Sequence, residues 1–176
     1  MRTLHKPTDL DVARIVGHGF WELFDENGDL KDAGEFSNLI SQIGDQFYGE
    51  RAAGISSPPA QVTGMQLGTG TTAEAKTGAG AAIVTLVAAS LVAIDGGFPT
   101  SALSGASRRI QWKVTWGAGV ATSNGIAEVA LVNQSTGTQT VAPAAATISR
   151  ALLSPTINKG AADTLAITWN HDLLGA

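Results

Sequence analysis

The chain has 176 residues and a mass of 18.0 kDa, carries a net charge of −4 with only 15% charged side chains, and contains no cysteine. That length suits one well-buried domain with an appendage. The acidic balance, with Arg108-Arg109 the one basic doublet, excludes a phosphate-backbone binder, and the lack of thiols excludes disulfide staples and thiolate metal sites.

Residues 1–12 are polar and interrupted by Pro7, so they read as an arm that orders only against something else. They hold no apolar run of the secretory kind. From Ala13 the pattern turns strand-like through ARIVGHGFWELFD and halts at Asp25-Glu26-Asn27-Gly28-Asp29. Asn-Gly supplies the positive φ angles of a tight hairpin turn, so Leu30–Phe36 is expected to return antiparallel to Phe20–Phe24. Leu39, Ile40, Ile43 and Phe47 then recur at helical spacing, with Ser37 or Asn38 as the cap and Gly54 as the stop. Ser56-Ser57-Pro58-Pro59 is a linker. It sets the boundary between an N-terminal unit, 1–59, and a second domain, 60–176.

Beyond residue 60 the chain reads as short strands between Gly, Ser, Thr and Pro clusters: 61–68, 82–87, 91–94, 108–116, 126–133, 146–153 and 164–171. In RRIQWKVTW, Ile110, Trp112, Val114 and Trp116 share one face. In TLAITWN, Leu165, Ile167 and Trp169 do the same, and the two aromatic faces are expected to meet in one core. Ala127, Val129 and Leu131 alternate inward against Glu128 and Ala130. The fold class that follows is mainly β: an antiparallel β-sandwich or jelly-roll-like domain with an N-terminal arm, a hairpin and one short helix. The most apolar window, 79–94, is shorter than the ~20 residues of a spanning helix, so no membrane segment is expected.

Gly68-Thr69-Gly70-Thr71-Thr72-Ala73 matches the glycines of a dinucleotide fingerprint. No helix can start there, because AEAKTGAGAA has two glycines and no apolar stripe, and a pyrophosphate needs helix N-terminal amides. The glycines read as a turn leaving a strand. Asp25, Asn27 and Asp29 faintly resemble a calcium loop, but its twelfth position is Phe36, so the hairpin turn is the better account. His5, His18 and His171 belong to no HExxH, no i, i+4 pair and no nucleophile elbow. The expectation is therefore a protein that is not an enzyme, with no cofactor and no metal.

Taken in order, MQLGTGTTAEAKTGAG, GGFPT at 96–100, GIAEVALVN and KGAADTLAITWNHDL resemble segments of small structural proteins of tailed bacteriophage particles. The likeness runs from about Val16 onward. It implies a virion structural protein, foremost a capsid decoration or cement protein on the capsid surface that is assembled in the host cytoplasm. The alternative is a tail fibre or tail-tip component contacting the host surface. No catalytic residues come with the resemblance. The implied partners are the major capsid protein and other copies of the chain, as a homo-oligomer of which a trimer is one form, with no nucleic acid and no membrane. A low charge fraction and a mean hydropathy of +0.12 suit surfaces that neighbours cover. A glycan site needs exposed aromatics, and with Trp112, Trp116 and Trp169 committed to strands only Trp21, Tyr48 and Phe98 remain, which favours decoration. Attachment is expected through the N-terminal unit, with Arg2, His5 and Lys6 making polar contacts and Ile43, Phe47 and Tyr48 apolar ones.

Overall fold

In the computed structural model, which describes residues 14–174, the alternating run after Ala13 forms β1 (Arg14–Phe24) and returns as β2 (Leu30–Ile40). Their pairing runs from Phe24 opposite Leu30 to Gly17 opposite Asn38. At the turn Gly28 takes φ +86°, and the Asp25 carboxylate accepts hydrogen bonds from the backbone of Asn27 and Asp29 at 2.8 and 3.0 Å. Those bonds hold the Asp25 carboxyl below its ordinary range. The oxygen-rich loop is thus folded onto its own backbone.

The strand goes further than the helical spacing suggests. Leu39 and Ile40 are its last residues and pair with Arg150 and Ser149. Ser41, not Ser37 or Asn38, has extended backbone and accepts from the Gly44 N–H at 3.0 Å, so α1 spans Gln42–Ala52. Gly54, at φ +65°, follows its end as expected.

The remaining strands are β3 (Gly64–Gly68), β4 (Val92–Ala93), β5 (Thr100–Ser104), β6 (Ser107–Trp116), β7 (Ser123–Val132), β8 (Thr147–Lys159) and β9 (Thr164–Leu174). The 82–87 segment is not among them. It follows a short 3-10 turn at Gly78–Ala81 and touches β3 through one bridge, Gly68 to Leu86. β5, whose TSALS sequence carries neither aromatic nor β-branched alternation, was not expected.

The protein is mainly β, with one antiparallel sheet in the order β4-β3-β7-β8-β2-β1-β9-β6-β5 that curls into a half-barrel. β1 pairs with β9 from Arg14–Leu174 through Phe24–Thr164. The hairpin of the expected N-terminal unit therefore lies in the middle of the sheet that the strands after residue 60 complete, and Trp21 and Phe36 share their core. Trp112 and Trp169 are cross-strand partners on neighbouring β6 and β9. The two aromatic faces lie side by side on one inner surface and pack with Met65, Leu67, Val129, Leu131 and Leu153 from the other half of the sheet. Beyond β4, the Asp95 N–H donates to the Lys113 carbonyl at 2.9 Å, and its carboxylate accepts from the N–H and hydroxyl of Thr115 at 3.1 and 2.7 Å. That clasp joins the two ends of the curl along one half of β6, while β5 covers the other half.

Trp112 and Trp169 are 3% and 0% exposed. Trp112→Ala and Trp169→Ala each lower unfolding free energy by about 3–5 kcal/mol. Urea unfolding measures this, and a midpoint equal to that of the wild type would refute the placement.

Candidate functional site

Arg2, His5 and Lys6 lie outside the described residues. Ile43, Phe47 and Tyr48 are on α1, and the helix turns Phe47 and Tyr48 inward. Phe47 is 5% exposed, with its ring edge-on to Tyr48 at 5.1 Å and the Arg51 guanidinium 4.5 Å over its face. Ile43 and Tyr48 are half-buried. Phe47 is thus spent within the fold, while Ile43 and Tyr48 each keep part of their surface exposed.

Tyr48 reaches His171, a residue whose importance no local motif announces. His171 is fully buried, and the Trp169 indole N–H donates to its Nε2 at 3.0 Å. An indole nitrogen is a donor only, so Nε2 must accept and the imidazole proton sits on Nδ1. Nδ1–H then donates to the Tyr48 hydroxyl at 2.7 Å. Trp112 packs edge-on against the same ring at 5.1 Å. Burial, with a smaller contribution from the nearby His18 charge, pushes the His171 pKa down to about 3. Burial raises that of Tyr48. Beside this network the open half of the seam forms an apolar groove of about 650 Å³, lined by Phe47, Tyr48, Val62, Pro99, Ile110 and Trp112.

The second buried polar centre corrects the reading of β7. Glu128 does point away from the core, yet it is 0% exposed, because the 69–91 segment crosses over it. Its carboxylate accepts from the backbone N–H groups of Gly70 (2.9 Å), Val84 (3.0 Å) and Thr85 (3.0 Å) and from Nε and Nη2 of Arg150 (2.9 and 2.7 Å). Arg150 also donates to the carbonyls of Thr72 and Gly80 at 2.9 and 3.2 Å. A Cβ on Gly68 or Gly70 would come within 2.4 or 2.5 Å of the carboxylate. The glycine pattern thus cradles an anion after all, and the anion is the protein's own. The signal in the sequence was a lone Glu in GIAEVALVN answered by a lone Arg in ISRALL.

The opposite outer face, across β2, β1, β9 and β6, is open. One row of cross-strand neighbours is Ser37, His18, Asn170 and Gln111; the next is Glu35, Phe20, Thr168 and Lys113. Arg109 clamps Asp172 through Nε and Nη2 at 2.8 and 2.9 Å, which holds the Asp172 carboxyl below its usual range. Gln111 donates to the Asn170 side-chain oxygen at 2.9 Å. Between these groups lies a depression of about 510 Å³ lined by His18, Phe20, Glu35, Ser37, Arg109 and Asn170. Of the aromatics that the sequence left unassigned, Trp21 is fully buried and Tyr48 and Phe98 are half-buried; the aromatic at this surface is Phe20, 38% exposed, which was not among them.

No family model, curated protein or solved structure matches this chain. The chemistry therefore rests on the geometry alone. Among the described residues no three His, Cys, Asp or Glu side chains converge as metal ligands would, and the two buried polar centres are spent on internal partners. The open row on the outer face is the one with groups left to engage something else.

Two outcomes follow. His171 binds a proton readily when unfolded, near pH 6.5, but when folded only near pH 3. Between those values the unfolded state holds the extra proton, so stability falls as the pH is lowered, by about 1.4 kcal/mol per unit from this group. Urea titrations at pH 7 and pH 5 show this slope in the wild type and lose its His171 share in His171→Asn. Separately, Arg150→Met leaves Glu128 buried without its cation and lowers stability by about 3–5 kcal/mol. Limited proteolysis then cuts within 69–91 first, and an uncut, fully stable variant would refute the pairing.

Proposed function

We propose that this chain is a structural protein of a tailed-phage particle, a decoration or cement protein that binds the major capsid protein and pairs with other copies of itself. The observation that carries this reading is β5. It ends the sheet, and among the described residues its outer edge has no strand partner. Its five residues, Thr100–Ser104, include no charge and no proline, and Leu103 is 77% exposed. Free edges are normally guarded by lysine, proline or a bulge, because a bare edge templates pairing with another chain. An edge left unguarded belongs to a protein whose working state is an assembly. The order of short motifs, which resembles that of phage structural proteins, supports this kind of particle, and the sparse surface charge agrees with it.

In this reading the half-barrel is a jelly-roll-like sandwich. β5-β6-β9-β1-β2 forms one layer and β8-β7-β3-β4 the other, with the layers joined where the last residues of β2 leave β1 for β8. The free edge then projects sideways, toward neighbouring copies on a shell. An experiment with one variant tests the proposal. Wild-type protein sediments as an oligomer and co-sediments with undecorated heads at a stoichiometry comparable to the shell subunit. Leu103→Lys, which alters only an exposed side chain, sediments as a monomer with an unchanged unfolding midpoint. A wild-type monomer that does not bind heads would overturn it.

A further inference from the structure

We propose that the depression on the outer face of β2, β1, β9 and β6 binds a neutral oligosaccharide. The inference goes beyond the assembly role and does not rest on it.

Phe20 stands in the middle of the sheet, between β2 and β9, not at a margin, and its ring is open to solvent. An aromatic ring in that position presents a flat apolar surface, and the C–H face of a pyranose is the polar ligand that matches one. The groups around it complete the match. Arg109 has committed Nε and Nη2 to Asp172, which fixes the guanidinium plane and leaves Nη1 as a donor. Gln111 has committed its N–H to Asn170, which leaves the Asn170 amide as a donor and the Gln111 carbonyl as an acceptor. Among the described residues, no group donates to the Glu35 carboxylate, which sits directly across from Phe20 in the β1–β2 register.

Two donors and two acceptors therefore flank one aromatic platform, and three of the four are held in orientation before any ligand arrives. Vicinal hydroxyls need this mixture, since each donates to one group and accepts from another. Preorganised planar side chains lower the ordering cost of binding. Arg109 is already balanced by Asp172, and the Glu35 carboxylate shares its cross-strand row with Lys113, so the face has no net positive field to draw an acidic sugar. The depression is shallow and open along the sheet, which suits a chain of sugars lying across the strands better than a single enclosed ring.

Saturation-transfer NMR on the full-length protein tests this with neutral trisaccharides of glucose, galactose, mannose and N-acetylglucosamine as probes and sialyllactose as the acidic control. At least one neutral probe receives saturation, and Phe20→Ala and Glu35→Gln each weaken its binding by about tenfold or more. Both positions are outside the core, and an unchanged unfolding midpoint checks that the variants fold. Leu103→Lys keeps the sugar binding of the wild type, so failure of the assembly reading and failure of this one are distinguishable. Binding of no neutral probe, binding of the acidic control alone, or binding unaffected by both variants would each overturn the proposal.

Discussion

A carboxylate and a guanidinium taken completely out of water impose the strictest constraint on this molecule. Glu128 and Arg150 are 0% and 1% exposed at the side chain. Desolvating such a pair costs several kcal/mol per ion, which the mutual attraction offsets only if the remaining lone pairs and protons are also satisfied. Neighbouring strands cannot do that, because their amides are spent on the ladder. The amides of Gly70, Val84 and Thr85 and the carbonyls of Thr72 and Gly80 do it instead. The irregular 69–91 crossing is held against the outer surface of β3, β7 and β8 by this demand. One half of the sheet is therefore covered on both faces, and the other half is left with an open outer face.

The open half has its own constraint at the helix end. His171 lies on the inner surface, one row beyond the Trp112–Trp169 pair, and a charged imidazole there would lack any counter-ion facing it from the core. The ring stays neutral because Trp169 supplies a donor on one side and Tyr48 an acceptor on the other. That requirement brings Tyr48 inward and seats α1 across the end of the half-barrel. Where the helix stops and the Asp95 clasp has not begun, the seam between β6 and the chain near Val62 stays open as the apolar groove. The polar network and the groove are thus two results of one placement.

Much of this was legible in the chain and some was not, for physical reasons. Asn27-Gly28 announced the first hairpin, because few residues tolerate the backbone of that turn. Alternation announced β6 and β9, because half-buried strands repeat every second residue; it could not say whether their aromatic faces were opposed or adjacent, since both arrangements bury the same residues. Leu39 and Ile40 satisfied helical spacing and ended up in β2, where Ser41 turned out to be the better cap. β5 was invisible because an edge strand exposed on both faces has no alternation to show. Glu128 was misjudged for the converse reason. A strand buried on both faces hides its second face under a segment whose covering role depends on contacts far away in sequence. The outer-face cluster drew residues from four strands, and no spacing rule connects Glu35, Phe20, Asn170 and Arg109.

The pairing of β1 with β9 orders events in time. β6 and β5 reach β1 only through β9, so the first strand of the hairpin and the 100–116 ribbon remain separate pieces until the last strand inserts between them. Folding that depends on such distant partners is slow and must close a large loop before it gains the contacts. On a ribosome, the early hairpin waits with a bare edge until β9 has been synthesised. The same delay acts as a safeguard. The β5 edge takes its native position only after β9 has docked, so a half-made chain does not present the finished molecule's surface to its neighbours.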